Sequence, residues 1–186
     1  MLTARTNVFE TNSSSCHCVV VAKDDVFNQF VEGELFAEGA GYKNSYDAEL
    51  IPIEEVHNRY CKYIEQENDF YRQYGNAEII PLGIPAIKWI LNNPDFNEVC
   101  PYMAGDVEAY LKEHGTVLNE ETVNELIQNE DGLDCFRSWI SFDYTPWSYA
   151  MLKKATEDFS TEYDEVESRP PHSVDGITRC YACWYI

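Results

Sequence analysis

Basic residues are scarce in this chain. Lys and Arg number 13 against 33 Asp and Glu in 186 residues, a formal charge of −20. A surface so short of cations repels phosphate backbones and anionic lipid, which argues against direct binding to nucleic acid or to an acidic membrane. Long apolar runs are missing too. No stretch approaches the roughly 18 consecutive apolar residues of a spanning helix. The opening MLTARTNVFETNSSS has no apolar segment of signal-peptide length, so a cytoplasmic protein is expected. Seven cysteines are an odd, scattered set, unlike a disulfide framework. Walker A, GxGxxG, HExxH and GxSxG motifs are all absent. What is present excludes disorder: 45% hydrophobic and 14% aromatic residues are enough to build a core. The length fits one domain, 1–186.

Periodicity supplies the elements. His17 to Ala22 is β-branched and apolar on both faces, which predicts a buried, central strand. Asp24 to Val31 places Val26, Phe27, Phe30 and Val31 on one helical face, with acids at the positive end of the dipole. Glu34 to Glu38 fits a short edge strand, followed by a loop over Gly39 to Ser45. The strongest helix spans Ile53 to Tyr74, where Val56, Tyr60, Tyr63, Ile64, Phe70, Tyr71 and Tyr74 recur at helical spacing and Gly75 sits at the stop. Pro85 opens a second helix to Asn92, with Pro94 after its end. Asp106 to His114 follows, with Val107, Tyr110 and Leu111 inward and Gly115 as terminator. Asn119 caps the next, with Leu118 and Val123 spaced as a hydrophobic staple. Further helices are expected at Leu133 to Phe142 and Tyr149 to Asp158. Residues 160–186 read as a C-terminal β-hairpin joining the sheet of His17 to Ala22, with Pro170 to Gly176 as its turn-rich middle. The expected fold class is α+β: about five or six helices packed on a small, mainly antiparallel sheet.

The most unusual local sequence is Arg5-Thr6-Asn7-Val8-Phe9-Glu10-Thr11-Asn12-Ser13-Ser14-Ser15-Cys16-His17. Ser13, Ser14, Ser15 and nearby N–H groups could cradle a phosphate, with Arg5, Asn7 and Asn12 completing a ligand site. Glu10 or His17 could then act as general base. The competing reading is structural: Asn and Ser side chains hydrogen-bond their own backbone and tighten entry into a strand. The segment resembles "R-x-N-x-FETNSSS-x-H", found near the N-terminus of small phage and prophage proteins of gut-associated bacteria. The resemblance covers about a tenth of the chain. It implies mobile-element origin and a role inside an infected bacterial cell, and it assigns Arg5, Asn7, Glu10, Asn12, Ser13, Ser14, Ser15 and His17. It implies no particular activity.

Cys16, Cys18, Cys180 and Cys183 invite a zinc reading, since thiolates suit that ion. Two features oppose it. Positions three apart on a strand face opposite sides, and Tyr181-Ala182 offers no knuckle turn. No metal or other cofactor is therefore the main expectation, with zinc on Cys16, Cys18 and one of Cys180 and Cys183 as the alternative if the two strands are neighbours.

The acids are unevenly placed. Asp24 to Glu55 holds nine with Lys43 as the one base, Asp106 to Asp134 holds nine with Lys112, and Glu157 to Glu167 holds six with none. A small domain usually carries a charge of about 2–8 in magnitude, so solubility alone is a poor account of −20. Carboxylates one helical turn apart lie about 5–6 Å from each other, a spacing comparable to that of phosphates. The expected function is a phage-encoded acidic inhibitor of a host defence nucleoprotein or nuclease, of anti-CRISPR or anti-restriction type, docking on a basic nucleic-acid site. Its contact residues would be Asp106, Glu108, Glu113, Glu120, Glu121, Glu125, Glu157, Asp158, Glu162, Asp164 and Glu165. The alternative is an enzyme or nucleotide binder centred on the N-terminal motif.

Overall fold

A computed structural model of the chain describes residues 4–5, 15–38, 47–99, 104–113, 118–141, 146–154 and 169–185. The fold is α+β. Among the described residues there are eight helices, more than expected, and two three-stranded antiparallel sheets. By contact the chain divides into two compact units. One joins Met1–Pro52 to Asp143–Ile186, and the other is Ile53–Phe142. The first is therefore assembled from both ends of the chain.

The unit built from the chain ends carries both sheets. Strands β1 (Ala4–Arg5), β2 (Ser15–Lys23), β3 (Leu35–Glu38), β4 (Asp47–Pro52), β5 (Arg169–Val174) and β6 (Ile177–Tyr185) assemble in the orders β1-β4-β3 and β2-β6-β5. The C-terminal hairpin does join the strand of His17 to Ala22: β2 and β6 run antiparallel from Ser15↔Tyr185 to Lys23↔Ile177. The central position belongs to β6, not to β2, which corrects the expectation. The Val-rich run of β2 is held in the core by packing rather than by a second ladder. Val20 and Ala22 are buried with Cys180 of β6, against Phe27 and Phe30 of α1 (Asp24–Val31), Ala37 and Leu152. Val31, expected on that face, is 44% exposed.

Pro170 to Gly176 was expected as a turn, yet most of it is strand β5. Two prolines are tolerated because β5 is the outer strand of the order, where N–H groups are not all needed. The register is irregular between Arg169 and His172, where Pro170 and Pro171 fall. The turn itself is Asp175-Gly176, with φ of 54° and 75°. Consecutive left-handed residues match the twist of a two-residue hairpin. The tip is tied to α1: Asp24 N–H donates to the Gly176 carbonyl at 3.1 Å, and its carboxylate accepts from Ser173 Oγ (2.8 Å) and Thr178 Oγ1 (2.7 Å). At the other end of α1, Gly33 (φ 72°) closes a Schellman motif, with Glu34 N–H on the Gln29 carbonyl and Gly33 N–H on that of Phe30. β3 lies at the end of its order, as expected, and its outer side meets Trp147 through paired 2.8 Å bonds with Ala37. Residues 39–46, 155–168 and 186 lie outside the described residues, and the helix expected from Tyr149 is described over 149–154.

The second unit is helical: α2 (Ile53–Gln73), α3 (Ile84–Asn92), α4 (Pro94–Val99), α5 (Ala104–Glu113), α6 (Glu120–Gln128) and α7 (Glu130–Ser141). Helix α2 begins where expected and ends in a second Schellman motif, with Gly75 (φ 72°) and Asn76 donating to the carbonyls of Arg72 and Tyr71. Its buried stripe is Ile53, Val56, Tyr60, Ile64 and Asn68. Pro85 stands in the first turn of α3. Pro94 follows the end of α3, but it also opens α4, a helix not anticipated. Asn119 caps α6 as predicted, its side chain accepting from Thr122 N–H at 2.7 Å.

The connection over 76–83 is an extended strap stapled by side chains. Asn68 makes a two-way bond with the Ile79 backbone (2.9 and 2.7 Å), and Asn129 Nδ2 donates to the Ile80 carbonyl (2.8 Å). Tyr60 Oη donates to the Gly132 carbonyl of α7 (2.8 Å) and accepts from Leu82 N–H (3.4 Å). Around these bonds Tyr60, Ile64, Leu82, Ile87, Leu126 and Phe136 are fully buried. Buried backbone groups in a non-helical segment need such partners.

Candidate protein-interaction surface

The acids of 106–134 fall on three successive helices, with α5 packed against α6 and α6 against α7. Glu108, Glu113, Glu120, Glu121, Glu130 and Asp131 are exposed. Glu120 and Glu121 occupy the first turn of α6, and Glu130 and Asp131 that of α7, where the dipole favours them. Lys112 is exposed among them. The next base, Arg137, is turned inward: its side chain is 14% exposed, its guanidinium lies over the Phe96 ring 5.1 Å from the centroid, and Asp134 is 3.8 Å away. It therefore screens the outer carboxylates little. Burial pushes the Asp134 carboxyl above the usual carboxylate range; Asp131 and Glu130 add to the shift, and Arg137 opposes it.

Glu125 has a different job. Its carboxylate accepts the N–H of Gly83, the N-cap residue of α3, so it is committed inside the helical unit rather than offered to a partner. Asp106 lies in α5. Glu157, Asp158, Glu162, Asp164 and Glu165 lie outside the described residues.

Of the N-terminal motif, Asn7, Glu10, Asn12, Ser13 and Ser14 lie outside the described residues. Arg5 pairs with Asp47 in the β1–β4 ladder, and β1 lies against β2. Ser15 and His17 hold β2 register positions opposite Tyr185 and Cys183. The same register separates the cysteines. Cys16 and Cys18 stand opposite Trp184 and Ala182, in phase with Cys180 opposite Val20, whereas Cys183 is out of phase with all three. Side-chain faces alternate along a strand, so the four positions do not share one face. Among the described residues, no group of three or more His, Cys, Asp or Glu is placed to hold a metal ion. No described helix is long and apolar enough to cross a membrane.

Cys61, Cys135 and Cys180 are free thiols. Burial pushes the Cys180 thiol up to about 11. Burial first, then the carboxylates of Glu67, Asp131 and Asp134, push Cys135 up to about 11. Both are protonated at neutral pH and poor nucleophiles. Their folded values exceed the ordinary 9.0, so the native state holds protons that the unfolded chain releases. The resulting stabilisation is complete below pH 9.0 and is lost as pH rises through about 11. Thermal melts across that window are expected to show a falling midpoint, with a shallower fall in Cys135→Ala/Cys180→Ala. An unchanged slope in the double variant would contradict the assignment.

No family model, curated protein or solved structure matches this chain. The surface chemistry is therefore the guide to function. One part of that surface escapes the simple pattern of apolar residues in α2. Phe70 and Tyr74 are 56% and 66% exposed, with ring centroids 4.8 Å apart. The signal that could have found them is helical phase. With about 100° per residue, the Ile64–Asn68 stripe leaves Phe70 about 200° round from Asn68.

Proposed function

We propose that this protein is an acidic docking protein that occupies a basic, nucleic-acid-binding surface of a partner protein. One observation carries the proposal: exposed carboxylates crowd α5, α6 and the start of α7, while the nearest arginine, Arg137, is half-buried with its guanidinium over Phe96. The helical unit as a whole has seventeen acids and six bases between residues 53 and 142. Such a field speeds encounter with cationic surfaces and repels anionic ones. The resemblance of about residues 5–21 to phage and prophage proteins points toward nucleic-acid-binding defence enzymes of bacteria, whose inhibition would be the biological outcome.

The test compares two variants of equal charge. Glu108→Gln/Glu120→Gln/Glu121→Gln neutralises the proposed surface, and Glu32→Gln/Glu54→Gln/Glu65→Gln removes the same charge elsewhere. Both are used to capture basic proteins from a bacterial lysate, and association rates are then measured on the captured partner. Rising salt and added duplex DNA or RNA are expected to release the partner. The first variant is expected to associate roughly tenfold more slowly than wild type, and the second to change little. Equal effects of the two variants, or capture indifferent to salt, would refute the proposal.

A further inference from the structure

We propose that Phe70 and Tyr74 form an aromatic anchor for arginine side chains of a basic partner segment. This rests on the basic-partner reading above and names what the acidic field alone does not supply: a short-range contact with chemical preference.

Phe70 lies in the last turn of α2 and Tyr74 directly follows the helix end, and both face solvent with more than half of their surface. Their rings are tilted 53° to each other, and Tyr71, half-buried, extends the cluster with its ring 6.5 Å from Phe70. Core packing does not account for them, because the buried stripe of the helix runs through Tyr60, Ile64 and Asn68. Contiguous exposed aromatics are favoured at interfaces, where a rigid ring buries much area at low entropic cost.

The charge pattern selects the occupant. The aromatic face carries negative potential, and the −20 chain adds to it. Gln66 and Gln73 flank the pair, exposed and uncharged. The nearest arginine in sequence does not cover the rings. Arg72 lies about 200° round the helix from Phe70, and it bonds Asp69 at 2.6 Å and Glu78 at 2.8 Å. Two exposed rings on a chain of charge −20, with Arg72 held by Asp69 and Glu78, suit a guanidinium, which stacks on aromatic faces and stays charged. A second copy of this chain is disfavoured as occupant by the same −20 charge.

The experiment measures binding of fluorescent oligo-arginine and oligo-lysine peptides of equal length, by anisotropy at low and high salt. Wild type is expected to bind both at low salt and to prefer oligo-arginine roughly five- to tenfold at high salt. Phe70→Ala/Tyr74→Ala keeps the charge and exposes no core, so its melting temperature should match wild type. It is expected to lose the preference while binding oligo-lysine as before. Phe70→Tyr should retain the preference. Binding of neither peptide would overturn both the docking function and the anchor. Equal binding of the two peptides by wild type, or a preference that survives the double substitution, would overturn the anchor alone. A concentration-dependent dimer of wild type that is absent in the double variant would assign the pair to self-association and overturn it as well.

Discussion

Gly132→Ala is expected to destabilise the helical unit by about 3 kcal/mol. In an ordinary helix the same change is favourable, since glycine costs about 1 kcal/mol relative to alanine. Here the sign reverses because of what lies against the α-carbon. An added Cβ would stand 2.5 Å from the Ile80 carbonyl oxygen and 2.7 Å from Asn129 Oδ1. Neither atom can step aside cheaply. The Ile80 carbonyl belongs to the strap backbone and accepts from Asn129 Nδ2 at 2.8 Å. Asn129 Oδ1 accepts from Gly132 N–H at 3.2 Å, capping the start of α7. A shift of Gly132 itself would also stretch the 2.8 Å bond that its carbonyl receives from Tyr60. Denaturant unfolding of Gly132→Ala beside wild type measures the cost. An alanine variant as stable as wild type would mean that the strap does not lie against α7 as described.

That close contact was not legible in the sequence, and the reason is general to this chain. Elements governed by local rules are legible in the sequence. The helix Asp24–Val31, the start of α2, the proline in the first turn of α3 and the Asn119 cap all follow from residues within a turn of each other. The join of β6 to β2 was also legible, because two β-prone segments need partners. What failed was set by distant packing. Asn68 counts against a core position by composition, yet it is buried because Ile79 offers it a donor and an acceptor. Pro170 and Pro171 read as turn residues, yet an outer strand accepts them. Glu125 is one more acid in a long acidic stretch until Gly83 N–H claims it. The acidic surface was legible as charge, but which carboxylates face outward was not. The aromatic pair shares the helical spacing of the buried residues, and a regular spacing does not reveal where its phase departs from the buried stripe.

Asn68→Leu carries the second large effect, an expected loss of about 2–5 kcal/mol. Leucine keeps the branching of asparagine at Cγ and is bulkier, so no cavity is left, and the loss combines missing hydrogen bonds with some overpacking. In the native protein the Asn68 side chain donates to the Ile79 carbonyl and accepts from its N–H, reproducing the pairing that a neighbouring strand would give. Leucine removes both partners and leaves two backbone groups beside Ile79, which is itself 4% exposed. Stranding a buried donor or acceptor costs about 1–3 kcal/mol each, because only one side of the exchange with water has been undone. The strap must then either keep two unpaired groups inside or move outward and expose Ile79 and Leu82. Hydrogen exchange separates these outcomes from a benign replacement. Loss of protection at the Ile79 and Leu82 amides is expected together with lower denaturant stability. The strap also fixes α2 against α7 through Tyr60, Leu82 and Gly132, so the same variant should loosen the acidic start of α7 relative to Phe70 and Tyr74. A fully stable Asn68→Leu protein with a protected Ile79 amide would show that the strap is held by apolar packing alone, with the asparagine dispensable.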